Sequence, residues 1–327
     1  MGSVGTEGGG KMITMQLGHT LEQSKLKYPE LNDDIIKGLR LWAEAHNTSN
    51  VPDEQLALFA HSCYYDLETT KRCVASYYKL RAIVPEFFHN RDPRSDSIQR
   101  AFKTLHFLAL PVPDDKGNRI IFHRLADTRP SSYMLDDGIK VLMMTLDASL
   151  YDEGCAPGYI FLFDMAGVRL THLTRLSITS IRRFFEYLQE GLPVRLKAIH
   201  VLNVVWFMDK VLSLVRPFMK RELFEMLHLH TGDPSEVYEL IPQKCLPKDY
   251  GGELGSVASL HEAHCTRLDQ LRDYFLEEER LFRSWSEKSD SRRSSKSSKE
   301  ETPVHGVKKD KFKKKSIDVS TWEECNE

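Results

Sequence analysis

Between Arg119 and Asn203 the hydrophobic pattern of this chain switches repeatedly between a period of two and a helical period, and this alternation restricts the fold more than any other feature. RIIFHRLAD (Arg119 to Asp127) follows a Lys116-Gly117-Asn118 turn and alternates as a strand does. Leu135, Ile139, Leu142 and Leu146 then recur on one helical face after Ser131 and Ser132. YIFLFDM (Tyr159 to Met165) is an unbroken apolar run, the mark of a strand buried on both faces. Leu173, Leu176, Ile181, Phe184 and Leu188 return to helical spacing and stop at Gly191 and Pro193, before LPVRLKAIHVLN (Leu192 to Asn203). Strands joined through helices run parallel, so the pattern predicts an α/β domain with a partly parallel sheet.

The preceding segment is helical throughout. Ile35, Leu39 and Trp42 follow an Asn/Asp start, Leu56, Phe59 and Cys63 follow Pro52, and Leu67, Val74, Tyr77 and Arg81 follow Asp66 as N-cap. We read a three-helix unit over 32–88, joined by the turn-rich linker HNRDPRSD (His89 to Asp96) to an α/β domain over 97–255. A leader over 1–31 is expected to be flexible, and a C-terminal helix is expected over 256–283. The remainder, 284–327, is rich in Ser and Lys and has too little apolar surface to order itself.

With 41% hydrophobic residues and a net charge of -2, the chain can bury a large core and carries no global field for nucleic acid. Six scattered cysteines without a CxxC pair and no apolar signal segment argue for neither a disulfide framework nor a zinc site, and for a cytoplasmic location. MGSVGT fits the myristoylation pattern at Gly2, but a short pattern of this kind reads more simply as a leader. Gly5 to Lys11 satisfies GxxxxGK, yet Met12 stands where a magnesium-holding hydroxyl belongs and no strand precedes it, so no phosphate loop is expected. HEAHC (His261 to Cys265) sets two histidines one turn apart without further ligands, which reads as solvated histidines. HLH (His228 to His230) puts two imidazoles on one strand face in a structural role. No metal site, cofactor or catalytic constellation is expected.

VVWFMDKVLSLVRPFM (Val204 to Met219) is too short to span a bilayer and too apolar for an ordinary surface helix. As a helix over 205–215 it would keep Asp209, Ser213 and Arg216 in one polar stripe, with Pro217 opening a second helix. Pattern alone allows either a buried core helix or one that covers a cavity on one side and meets lipid on the other.

FDMAG (Phe163 to Gly167), PVRLKAIHVLN, this apolar helix, RPFMKRELFEMLHLH (Arg216 to His230) and LPKDYGG (Leu246 to Gly252), in that order, resemble the CRAL-TRIO lipid-binding family. Within it they are similar to the retinaldehyde-binding and alpha-tocopherol transfer branch. The resemblance implies a helical domain followed by an α/β domain whose sheet floors a lipid pocket under a mobile gate helix. By position it implies a pocket lined by Ile139 and Met143, by Tyr159, Phe161 and Phe163, and by Phe184 and Leu188. Leu196 and the gate residues Met208, Val211 and Leu214 complete the set. Alternation independently puts Tyr159, Phe161 and Phe163 on one sheet face. Arg195 and Lys197 match a basic pair that contacts phosphoinositide phosphates in the tocopherol branch, although Glu222 and Met226 replace further basic positions and the family's arginine-rich helical stretch reads FAHSCYYD (Phe59 to Asp66). Lys220 and Arg221 are the nearby substitutes.

The function so implied is non-enzymatic: binding a tocopherol-, retinoid- or carotenoid-like lipid and transferring it between membranes, with the protein peripheral at anionic, phosphoinositide-bearing surfaces. The alternative is a membrane-docking or scaffolding module without transported cargo, anchored by its basic tail. A lipid tail of about fifteen CH₂ groups costs roughly 12 kcal/mol to expose to water, which is the barrier a gated pocket avoids.

Overall fold

A computed structural model of the chain describes residues 16–46, 51–232 and 234–283. The readings at Gly2, at Gly5 to Lys11 and over the tail 284–327 lie outside the described residues.

The helical region starts earlier than the sequence pattern indicates. Helix α1 (Leu21–Lys27) lies inside the expected leader, held by a capping box in which Thr20 and Gln23 satisfy each other's backbone N–H groups. Asn32 caps α2 (Asp33–Ala45) by accepting from the Ile35 amide at 3.0 Å. Helix α3 (Asp53–Ser62) follows Pro52, and Asp66 caps α4 (Leu67–Ile83) through the Thr69 amide at 2.7 Å. The corner between α3 and α4 is made by Tyr64 and Tyr65, two consecutive non-glycine residues in the left-handed region at φ 53° and 66°. The short α5 (Pro85–Phe88) closes the unit.

The expected linker, His89 to Asp96, is not a free connection. Arg91, in its middle, is completely buried, as is Arg81 of α4. Arg81 donates to both oxygens of Asp147 at 2.6 and 3.0 Å and to Glu278 at 2.7 Å, and Arg91 pairs with the same two carboxylates. Two guanidiniums and two carboxylates thus form a closed, charge-balanced ring, which is the arrangement a buried ion cluster requires. Burial pushes the Asp147 carboxyl up, but Arg81 and Arg91 overcome it and hold the group below its ordinary range; for Glu278 burial wins and the group is raised.

After α6 (Asp96–Thr104) the chain passes without a loop into β1 (Leu105–Ala109), an element the sequence pattern does not announce. β1 pairs antiparallel with β2 (Arg119–Leu125), and β3 (Tyr159–Asp164), β4 (Leu196–Leu202) and β5 (Leu227–Leu229) follow in parallel, giving the order β1-β2-β3-β4-β5. The connections are α7 (Leu135–Glu153), α8 (Ile178–Glu190), then α9 (Met208–Val215) with α10 (Arg221–Glu225). The expected helix from Leu173 to Leu188 is split: Leu170–Arg175 is a 3-10 turn, and Ser177 caps a fresh start at Ile178. The sheet separates two apolar layers. Phe107, Ile121, Tyr159 and Phe161 face α7 and α8, whereas Leu108, Phe122, Ile160 and Leu162 face Val237, Ile241, Cys245 and Tyr250. The C-terminal helix breaks at Leu271: α11 (Val257–Gln270) packs on β1 and α7, and helical residues 272–283 bring Glu278 to the ion ring.

Candidate functional site

Alternation along β3 turns Tyr159, Phe161 and Phe163 to the helix side of the sheet. Tyr159 and Phe161 are buried there, the Tyr159 hydroxyl 3.1 Å from Ser149 Oγ, while Phe163 is half-buried. Ile139 and Met143 of α7 are buried in the same cluster, and Phe184, Leu188 and Leu196 pack against it half-buried. Helix α8 touches both α7 and α9, so the eleven expected positions lie on neighbouring elements.

Helix α9 has an unusual exposure profile. Met208, Val211, Leu212, Leu214 and Val215 are all half-buried and none of its residues is fully buried, although Val204, Val215 and Phe218 reach the core cluster. Asp209, Ser213 and Arg216 form the expected exposed stripe, with Ser213 Oγ donating to the Asp209 carbonyl at 2.7 Å. The helix begins at Met208 instead of Val205, because 204–207 form a turn. That turn separates two neighbouring aromatics: Trp206 is 77% exposed and Phe207 only 3%. Lys210 lies 5.9 Å from the Trp206 ring. Pro217 does not open a new helix; it sits in a 3-10 turn, Arg216–Phe218, and α10 starts only at Arg221.

His123, which the sequence reading passed over, is the polar group of this face. It lies opposite Phe163 in the sheet register, stacks on Phe107 at 4.0 Å and meets the Phe163 ring edge-on at 5.8 Å. Its place in the alternation Ile121, His123, Leu125 was the available signal. Burial pushes its pKa down to about 4, so the ring is neutral at pH 7.

The resemblance motifs meet at one hub. Asp164 of FDMAG accepts from the Ala166 amide at 2.8 Å, from Asn203 Nδ2 at 2.8 Å and from the Tyr250 hydroxyl of LPKDYGG. Gly167 provides the left-handed φ of 81° in this turn, where an added Cβ would lie 2.3 Å from Thr128.

Arg195 and Lys197 both approach Tyr64 at the α3–α4 corner. The Arg195 guanidinium lies 4.1 Å from the Tyr64 ring centre and its Nε donates to the His61 carbonyl at 2.7 Å, while Lys197 Nζ donates to the Tyr64 hydroxyl at 3.0 Å. Arg195 Nη2 is buried without a hydrogen-bond partner. The suggested substitutes are committed elsewhere, Lys220 to Glu190 and Arg221 to Glu225. The histidines of HEAHC are not solvated: His261 faces the Phe102 and Phe107 carbonyls, and His264 bonds to Thr145 Oγ1 at 2.9 Å. His228 and His230 share a face with His200, whose Nδ1 lies 3.0 Å from His230 Nε2. No helix among the described residues is long and apolar enough to cross a membrane.

The site is thus a mostly parallel sheet with one apolar face under helices, and a short apolar helix, α9, in the last crossover. Residues 104–252 match the CRAL/TRIO domain, and residues 28–98 match the Pinta-like UBA domain. Among its relatives, the chain is 26% identical over 213 residues to human "Alpha-tocopherol transfer protein-like", covering 64% of this chain and 61% of that protein. It is 26% identical over 184 residues to human "Clavesin-2", covering 56% of each. The match thus spans about three-fifths of the length of the first of these relatives. A solved structure titled "Crystal structure of Sfh5" superimposes with a TM-score of 0.44 at 13% identity, over 74% of this chain and 81% of that one.

Proposed function

We propose that this protein binds a hydrophobic lipid, of tocopherol, retinoid or carotenoid type, between the aromatic face of β3 and helix α9, and transfers it between membranes with α9 as the gate. The observation that carries this reading is α9 itself, an apolar helix without a single fully buried residue, packed beside α8. A core helix of that composition would bury one side completely; one that closes over a cargo space would not. The exposed Trp206 at its start supports contact with a bilayer interface, where an indole suits the boundary between water and acyl chains.

In this reading the pocket is lined by Ile139, Met143, Tyr159, Phe161, Phe163, Phe184, Leu188, Leu196, Met208, Val211 and Leu214. Arg195 and Lys197, side by side against Tyr64, form the contact for a phosphoinositide head group. The protein works without catalysis or cofactor, in the cytoplasm and peripherally at anionic membranes. Native mass spectrometry of protein purified from its own source is the test: a stoichiometric co-purifying lipid is expected. Protein that is lipid-free and takes up none from vesicles would instead favour a docking module without cargo.

A further inference from the structure

His123 has a chemistry that an all-apolar pocket does not need. The residue sits in the middle of β2 on the face that carries Phe161 and Phe163, between the stacked Phe107 ring and the edge-on Phe163 ring. Its Nδ1 is buried and makes no hydrogen bond. A buried polar atom left unpaired opposes folding, and such atoms in folded proteins need an explanation. A phenylalanine at this position would fill the same aromatic stack without that cost.

A neutral imidazole carries one N–H and one lone pair. The polar groups that favour a charged ring are the His106 backbone and, more weakly, the Asp164 carboxylate, and Nδ1 is bonded to neither. Both are acceptors towards the ring, so they favour placing its N–H on their side. Nδ1, which has no partner, is then left as the acceptor, beside the Phe107 and Phe163 rings. Tyr159 is no candidate donor, because its hydroxyl is engaged with Ser149.

We infer that His123 selects the cargo's head group: the lipid carried in this pocket bears a free hydroxyl, alcohol or phenol, whose O–H donates to the unpaired imidazole nitrogen. This rests on the pocket assignment proposed above and narrows it. Hydrocarbons offer nothing to this nitrogen, and aldehydes, esters and ethers offer only acceptors, so each would leave it unpaired.

The test uses a matched pair, a fluorescent long-chain alcohol and its methyl ether, titrated into the full chain. The alcohol is expected to bind about 5- to 100-fold more tightly, the range set by leaving a buried polar group unpaired. His123→Phe should lose that preference by weakening alcohol binding and leaving ether binding equal or tighter. Equal affinity of the wild-type protein for both probes overturns the inference while leaving the pocket assignment standing, and this comparison needs no variant to fold. Retention of the preference in His123→Phe overturns it as well. Failure of the wild-type protein to bind either probe defeats the pocket assignment and the inference with it.

Discussion

Asp147→Asn tests the ion ring that joins the helical unit, the α/β domain and the C-terminal helix. The substitution keeps the shape of the side chain but removes one of two negative charges facing Arg81 and Arg91, all four groups being at most 2% exposed. Two buried guanidiniums would then share the single carboxylate of Glu278. Removing one partner of a buried ion pair costs about 3–5 kcal/mol, most of it from the charge left behind. At roughly 2–4 °C per kcal/mol for a body of this size, Tm should fall by about 6–20 °C. Thermal melts followed by circular dichroism, with urea titrations to confirm an unchanged m value, measure it. Replacing all four groups together by apolar side chains of similar volume should recover most of the loss, since no charge is then stranded. A loss below about 1 kcal/mol for Asp147→Asn would refute the reasoning, because it would mean that water reaches the ring.

Val211→Asp should abolish lipid binding while leaving far-UV dichroism intact, because a carboxylate would face the proposed apolar pocket unpaired; unchanged affinity would remove Val211 from the pocket. Trp206→Ser should slow transfer between vesicles without weakening ligand binding, as the ring is exposed; Phe207→Ser should instead lower stability, as that ring is buried. Arg195→Ala combined with Lys197→Ala should erase any phosphoinositide preference in vesicle sedimentation, and persistence of the preference would exclude the pair. Burial holds His264 near pKa 3 and His61 near 4, below the ordinary value of 6.5, so the unfolded chain binds these protons first. Their contribution to stability is complete above about pH 6.5 and is lost as the pH falls towards 4, at up to about 1.4 kcal/mol per pH unit for each group. His264→Gln should flatten that slope.

β3 was legible because it is an apolar run bounded by turn residues, and β2 because its apolar residues follow the Lys116-Gly117-Asn118 turn. β1 was not: LHFLA continues directly from α6, with no turn between them to mark a change of period. Helix α1 was hidden for another reason, being seven residues of mostly polar character whose only signal is the Thr20/Gln23 capping box. The face that Tyr159, Phe161 and Phe163 share was readable from the alternation of β3. The opposite fates of Trp206 and Phe207 were not, because a turn and not a helix sets their directions. The ion ring was beyond reach from the sequence, since Arg81, Arg91, Asp147 and Glu278 come from four segments and each looks like an ordinary surface charge alone. His261 and His264 misled for the same reason: only the packing of α11 against β1 and α7 shows that they point inward.

The hub around Asp164 bears on how far α9 can travel. Asn203, the last residue before the crossover, is tied to Asp164, and beyond the crossover the His230 amide donates to Val201 at 2.9 Å in the sheet. Both roots of the segment are therefore fastened to neighbouring strands. Residues 204–207 form the near tether, and four residues at full extension reach at most about 14 Å. The gate motion proposed for α9 would therefore be leashed to an excursion of about half a bilayer's hydrocarbon thickness, with its return path set by the strands that hold its ends.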